Sequence, residues 1–309
     1  MLDKKGYFDL QVNGYGGVDF NSDVLTAEGL HKACSALQSN GVTGILATII
    51  TDEIELMCKR LSNLTRRRER DLLAKQIIVG IHIEGPFINE AVGYRGAHPA
   101  DAIKPANVGD MKRLLDAAAG LTRVVTLAPE RDEGQTVTKF LAKQGMVVSA
   151  GHCDANLDEL TASIDAGLSM FTHLGNGCPK EMDRHDNIIQ RALSLSDKLW
   201  FTLIADGIHL PYFILNNIFK ISGFDRCVIV SDAMAAAGLG SGRYTIGRWD
   251  LLIGEDLTTR SPDGSHLVGS AMGLRQCEAI LRNELGLNDE QVRKLMMNNP
   301  RQAIALDMS

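Results

Sequence analysis

Four of the eight histidines in the chain stand where apolar runs end. His82 and Glu84 close Ile77-Ile-Val-Gly-Ile-His-Ile-Glu-Gly-Pro86; His152 follows Ser149-Ala-Gly, His173 follows Thr172, and His209 closes Ala205-Asp206-Gly207-Ile-His209. Two further runs end in Asp9-Leu-Gln11-Val-Asn13 and Ser231-Asp232-Ala233. Ionisable groups are costly to bury without a partner, so such residues either pair within the core or ligate a metal. For His82 and Glu84 alone the two readings stand level; the recurrence of the pattern along the chain favours a site. Imidazole nitrogens with a carboxylate suit Zn²⁺ or a similar divalent ion, which in a catalytic site takes three protein ligands and a water. Glu84, His152 and His173, from three different runs, are the candidate ligands. A bound metal lowers the pKa of its water to about 7, and Asp232 is the best-placed carboxylate to take that proton and pass it to a leaving group.

These residues meet only if the fold gathers the run ends. Strand-like runs fall at 7–12, 44–50, 77–83, 123–127, 146–150, 169–173, 199–205 and 227–230, with amphipathic segments at 27–39, 53–68, 107–118, 135–144, 157–166 and 211–221. Repeated strand-then-helix units imply parallel strands with right-handed crossovers, and eight imply a closed (β/α)₈ barrel of the TIM type with its site at the C-terminal strand ends. An open doubly wound sheet is the alternative, but no G-x-G-x-x-G follows the first strand and no P-loop occurs. The whole of 1–309 reads as one barrel domain. Its rhythm breaks at 235–268, where Gly242-Arg-Tyr-Thr-Ile-Gly-Arg-Trp-Asp-Leu-Leu-Ile253 suggests a small hairpin near the barrel mouth. Closing helices are expected at 270–285 and 289–306.

Composition narrows the partners. The 309 residues are 45% hydrophobic and 23% charged with a net charge of −6, enough for one large core and without the basic excess that nucleic acid requires. Arg66-Arg-Arg-Glu-Arg70 reads as a solvated helix end. The six cysteines form no C-x-x-C pair, which points away from disulfides or structural zinc and toward a reducing cytoplasm. Met1-Leu-Asp-Lys-Lys-Gly6 lacks a signal-peptide core, and no apolar run nears the roughly 20 residues that span a bilayer.

The motifs Asp9-Leu-Gln-Val-Asn-Gly-Tyr-Gly-Gly17, His82-Ile-Glu-Gly-Pro86, Gly96-Ala-His98, Ala128-Pro-Glu130, Ser149-Ala-Gly-His152, His173-Leu-Gly-Asn176, Ala205-Asp-Gly-Ile-His209, Ser231-Asp-Ala233 and Gly269-Ser-Ala271 run in order through nearly the whole chain. Together they resemble the N-acetylglucosamine-6-phosphate deacetylase family of the amidohydrolase superfamily. The resemblance implies a barrel of the metal-dependent hydrolase type that removes the acetyl group from N-acetylglucosamine 6-phosphate, giving glucosamine 6-phosphate and acetate. It implies Glu84, His152 and His173 as ligands of one divalent metal, zinc first, with iron, cobalt or manganese as substitutes. It makes Asp232 the general base and then the acid toward the sugar amine, and His98 the group that polarises the amide carbonyl. Ala97, His98, Asn176, Gly177, Leu267, Val268 and Gly269 match positions contacting the substrate. Arg184 and His209 match the phosphate-binding positions, one of which reaches a neighbouring subunit's site in dimeric relatives; a homodimer is therefore expected. Many amidohydrolases carry His-x-His in the first strand and bind a second metal. Gln11 and Asn13 stand there instead, a remnant of that position, and an amide ligates zinc far less well than imidazole; one metal is expected.

The chain departs from the family in two ways. The family's small β-sandwich is expected to be absent or vestigial, because the barrel begins almost at once. The loop after His173, Gly175-Asn-Gly-Cys-Pro-Lys-Glu-Met-Asp-Arg-His-Asp186, puts Glu181 and Asp183 beside Arg184. Negative charge there opposes a phosphate unless it points away, or unless Lys180 and His185 compensate. The competing readings are an amidohydrolase acting on N-acetylgalactosamine 6-phosphate or an unphosphorylated acetamido sugar, and a non-catalytic sugar-binding barrel.

Overall fold

The computed structural model describes residues 6–246, 249–255, 257–260 and 267–306, the side chains of 245–251 and 258–269 excepted. Eight parallel strands form one sheet in chain order: β1 (Tyr7–Val12), β2 (Val42–Ile50), β3 (Ile78–Glu84), β4 (Thr122–Leu127), β5 (Val147–Ala150), β6 (Leu168–Phe171), β7 (Trp200–Ile204) and β8 (Cys227–Val230). The sheet closes on itself just past β1 and β8, where Val12 bridges Ala233 in parallel and the Asn13 and Gly14 N–H groups donate to the Ala233 carbonyl at 2.8 and 3.2 Å. This is the expected (β/α)₈ barrel.

The near-continuous apolar runs arise because both faces of each strand are covered. Ile81 and Ile83 of β3 pack outward with the helices, while Phe8, Leu10, Leu46, Val124, Met170, Ile204, Val228 and Val230 fill the barrel interior. Ala303 and Ile304, at the end of the helix Asn299–Ala303, close that interior cluster from the N-terminal end of the strands. Arg301 holds them there through Thr43 Oγ1 (2.8 Å) and the Gly6 carbonyl (3.3 Å). With the bottom plugged, the polar residues have only the C-terminal mouth.

Local signals set the helices. Ala27–Ser39 begins where Thr26 accepts the Gly29 N–H, and buries Leu30, Ala33, Cys34 and Leu37, the i, i+3, i+4, i+7 stripe of a core-facing helix. Leu157–Asp165 opens on a reciprocal capping box of Asn156 and Glu159. Two short helices lie outside the expected set. Leu72–Ile77, capped by Asp71, takes up the first residue of the run expected as the third strand; Ile188–Ser194, capped by Asn187, follows the long loop after His173. The sixth strand also stops at Phe171, leaving Thr172 and His173 in the turn beyond it.

After β8 the chain forms a four-stranded antiparallel sheet of β9 (Gly242–Ile246), β10 (Trp249–Ile253), β11 (Thr258–Arg260) and β12 (Leu267–Ser270). Strands β9 and β10 pair from Gly242↔Ile253 to Ile246↔Trp249, the expected hairpin, whose two turn residues lie outside the described ones. The end of β12 docks beside Asp232: Ser270 bridges Ala233 and its carbonyl accepts the Met234 N–H at 3.0 Å. No helix among the described residues is long and apolar enough to cross a membrane.

Candidate active site

Alternation along β3 turns His82 and Glu84 inward, and the two take different roles. His82 Nδ1 donates to the Leu10 carbonyl (3.2 Å), so its Nε2 accepts from Thr126 Oγ1 (2.7 Å). A buried hydroxyl chain continues from Thr126 to Thr172 (2.7 Å) and Ser149 (2.6 Å). Burial pushes the His82 pKa down to about 4, so the ring is neutral and both nitrogens are satisfied. It is a hydrogen-bonded core histidine beneath the mouth.

Glu84, only 2% exposed, is the hub of the mouth. Gln11 Nε2 lies 3.2 Å from both of its oxygens, and its Oε1 lies 3.0 Å from His173 Nε2 and 3.4 Å from His152 Nε2. His98 and His173 both set their rings edge-on to His152, with centroids 4.4 and 4.8 Å from it. Glu84, His98 and His152 each offer a ligand atom within 4.8 Å of the others. In that set His98 stands where His173 was the expected third ligand; His173 adjoins it through its 3.0 Å contact with Glu84 Oε1 and its ring edge on His152.

The donor set fits a divalent cation. His152 Nδ1 donates to the Tyr94 carbonyl at 2.8 Å, which fixes the tautomer and leaves the Nε2 lone pair facing Glu84 Oε1. Two lone pairs at 3.4 Å call for positive charge between them. The His98 and His173 Nδ1 atoms are buried without a partner, a costly state for an imidazole nitrogen. Burial works against a charged Glu84, yet the imidazoles of His152 and His173 beside it hold the carboxyl well below the usual range, so it stays anionic. Burial, with His152 beside it, pushes the His98 pKa down to about 3, so that ring is neutral.

Asp232 sits across the mouth, where Asn13 Nδ2 donates to its Oδ1 at 2.7 Å. Burial, reinforced by the Glu84 charge, pushes its pKa up to about 6, against the pull of His173, His209 and the Asn13 bond. The two amides that stand where many amidohydrolases have imidazoles are therefore occupied as donors, Gln11 to Glu84 and Asn13 to Asp232.

Backbone strain concentrates here. Seven described non-glycine residues have left-handed φ, and three of them are His152 (+51°), His173 (+34°) and Asp232 (+47°). Each such residue costs about 1–3 kcal/mol unless its surroundings over-determine it, and such residues cluster at functional sites. Glycine is required on either side of the His152 ring: a Cβ on Gly177 (φ +63°) would lie 2.8 Å from Nδ1, and one on Gly96 (φ +56°) 3.3 Å from Cε1.

The remaining expected residues are spread out. Ala97 is exposed beside His98. Asn176 is half-buried, and its Nδ2 is buried without a partner. His209 Nδ1 donates to Asp206 Oδ2 (2.6 Å), while Asp206 Oδ1 accepts the Ile208 and His209 N–H groups (2.9 and 2.8 Å). Arg184 is exposed and makes no hydrogen bond or ion pair among the described residues. The Leu267, Val268 and Gly269 side chains lie outside the described residues; their backbone belongs to β12. Two supports escaped the sequence reading. One is the Tyr94 carbonyl on His152, for which a main-chain atom leaves no sequence signal. The other is Glu130, which accepts from Asn89 Nδ2 (2.9 Å) and the Asp154 N–H (2.6 Å) and so ties the loops flanking His152. It lies in the Ala128-Pro-Glu130 motif, where its carboxylate was the signal.

An eight-stranded parallel barrel with a carboxylate and imidazoles gathered at its C-terminal mouth defines a hydrolase barrel of the amidohydrolase type. No family model matches the chain. It is 30% identical over 311 residues to the N-acetylglucosamine-6-phosphate deacetylase of Bos taurus, covering 98% of this chain and 74% of that one. It is 32% identical to the Bacillus subtilis enzyme of that name (88% and 67% covered), and 30% identical to the N-acetylgalactosamine-6-phosphate deacetylase of a Shewanella species (97% and 73%). Among solved structures, an N-acetyl-D-glucosamine-6-phosphate deacetylase mutant from Mycobacterium smegmatis, in complex with N-acetyl-D-glucosamine-6-phosphate, superposes with a TM-score of 0.86 at 29% identity, covering 97% of this chain and 77% of that one. The enzyme from Pasteurella multocida superposes at 0.84 with 28% identity, covering 98% and 76%. The chain belongs to the N-acetylglucosamine-6-phosphate deacetylase family.

Proposed function

We propose that this protein is the metal-dependent deacetylase of N-acetylglucosamine 6-phosphate, releasing acetate and the free amino sugar. The observation that carries the reading is the convergence of Glu84, His152 and His173 opposite an Asp232 whose pKa is raised to about 6. Glu84, His152 and His173 would hold one divalent ion, zinc in the first instance; Gln11 and Asn13, engaged as donors, leave no imidazole for a second. Such an ion supplies a water acidic enough to lose a proton near neutrality.

The chain's own residues do the rest. Asn13 fixes Asp232 Oδ1, so Oδ2 is the atom that takes the proton from the attacking water and returns it to the sugar nitrogen as the C–N bond breaks. A carboxyl titrating near 6 is suited to both directions of that transfer. His98 is neutral and so has an N–H to give to the amide oxygen as negative charge develops there. Asn176 Nδ2, buried and unpartnered, is a donor for the sugar, and Ala97, Gly177 and 267–269 would contribute main-chain contacts. Arg184, with its fork-shaped guanidinium, and His209 would bind the phosphate. Six unpaired cysteines are in keeping with a cytoplasmic setting, and a homodimer is the assembly the family resemblance implies.

The test is acetate release by zinc-loaded protein from N-acetylglucosamine 6-phosphate, N-acetylgalactosamine 6-phosphate and unphosphorylated N-acetylglucosamine side by side. Strong preference for the first is expected. The galactosamine epimer is the second reading, because a relative of equal identity bears that name. Equal turnover with and without phosphate would remove Arg184 and His209 from the scheme, and no acetate from any of the three would overturn it.

A further inference from the structure

Among the described residues, two buried carboxylates outside the reaction have local tasks. Asp132 caps the helix Thr136–Lys143 through the Val137 and Thr138 N–H groups, and Asp206 caps its own turn. Asp9 is different, because it reaches across the barrel seam. Its Oδ1 accepts the Gln11 N–H and the Ser231 N–H, both at 3.2 Å. Its Oδ2 accepts the Ser231 hydroxyl at 2.5 Å and lies 3.3 Å from the Ser231 nitrogen.

The network continues past Asp232. Ser231 Oγ accepts the Ala233 N–H at 3.1 Å, and the Ala233 carbonyl accepts the Asn13 and Gly14 N–H groups. Asn13 in turn holds Asp232 Oδ1. Asp232, in its left-handed conformation, is thus bracketed on both sides by one closed circuit that starts at Asp9. A residue other than glycine keeps such a φ only while its neighbours enforce it. Among the described residues, the Ser231 hydroxyl is the one side-chain link between the carboxylate on the first strand and the residue after Asp232.

We propose that Asp9 is a positioning residue for the deacetylation, acting through Ser231 to hold the Asp232 carboxylate aimed into the mouth. The proposal rests on the reading of Asp232 as the proton-transfer group. It assigns a role to the first residue of Asp9-Leu-Gln-Val-Asn13 that neither the metal nor the substrate accounts for.

The test uses full-length, metal-loaded protein and compares Ser231→Ala, Asp9→Asn and Asp232→Asn, with Ser231→Ala also made in the Asp232→Asn background. Ser231→Ala removes one buried hydroxyl and is the variant expected to fold should Asp9→Asn fail. A catalytic group misplaced by about 1 Å loses on the order of 100-fold. Ser231→Ala is therefore expected to lower kcat by 10- to 100-fold, with KM within twofold and the metal content of the parent. In the Asp232→Asn background it should cause no further loss, since the group it positions is gone. An unchanged kcat, a loss of metal in step with kcat, or the same fold-loss in both backgrounds would overturn the inference while leaving Asp232 in place. An active Asp232→Asn would overturn both.

Discussion

Asn13 gives the sharpest handle on the proposed proton transfer. Its Nδ2 donates to Asp232 Oδ1 at 2.7 Å, and that bond is one of the forces pulling the carboxyl pKa down against burial and the Glu84 charge. A hydrogen bond to a charged group is worth about 1.5–3 kcal/mol, and 1.36 kcal/mol moves a pKa by one unit. Water partly replaces the lost donor in Asn13→Ala, so an upward shift of about one unit is expected. The base must be ionised to work, so kcat/KM rises with pH through its pKa, and the acid limb of the profile should move to higher pH in the variant. A divalent ion beside Glu84 draws the absolute position down in both proteins, so the difference between the two limbs is the quantity to read. The assay is acetate release from N-acetylglucosamine 6-phosphate between pH 4.5 and 8.5 at saturating zinc, wild type against Asn13→Ala. Limbs that coincide, or a variant limb at lower pH, would refute the argument that Asp232 is the titrating base and Asn13 its tuning partner.

Three other substitutions separate the roles. Asp232→Asn should keep the metal but lose turnover by orders of magnitude. In chelator-treated protein it should also raise thermal stability above pH 6: the unfolded carboxyl ionises near 3.8 and the folded one near 6, so the wild type loses stability, by up to about 3 kcal/mol, as pH rises through that window. His173→Ala should weaken zinc binding by roughly 100-fold or more, beyond the 10–100-fold typical of outer partners, measured by competition with a chromogenic chelator. Arg184→Ala should raise KM for the phosphorylated sugar by about tenfold or more at nearly unchanged kcat, and leave turnover of the unphosphorylated sugar untouched; equal effects on both would detach Arg184 from the phosphate.

The strands were legible because a parallel barrel buries both faces of each one: the runs at 7–12 and 227–230 match β1 and β8 to the residue. Legibility faded where side chains stop being apolar on both faces. Leu72–Ile77 was hidden because its six residues are too few to show a helical period, and its signal is the single Asp71 cap. The site's inward carboxylates and imidazoles could be named from the run ends, but their partition could not. His82 and Glu84 are two residues apart on one face, and only the hydroxyl chain beneath them shows that His82 is satisfied within the barrel while Glu84 faces the mouth. His98 entered the reading through the resemblance alone; spacing gives no hint that a loop histidine before Pro99 ends 7% exposed against the His152 ring.

The loop after His173 shows why charge in a sequence is a poor guide to field in a structure. Read linearly, Glu181 and Asp183 flank Arg184 with negative charge, and Asp186 follows two residues on. In the fold, Asp183 Oδ1 takes the His185 and Asp186 N–H groups, both at 2.9 Å, and backbone donation lowers its pKa. Asp186 turns to Arg191, with its Oδ1 2.5 Å from Nε. Two of the three acids are thus committed to building the turn and to a cation other than Arg184. Among the described residues Arg184 itself is left without a carboxylate partner, with its donors available. A guanidinium already neutralised by Asp183 or Asp186 would have to break an ion pair before accepting a phosphate, and this one does not. The acidic loop is therefore compatible with phosphate recognition, and Arg184→Ala is the variant that reads it.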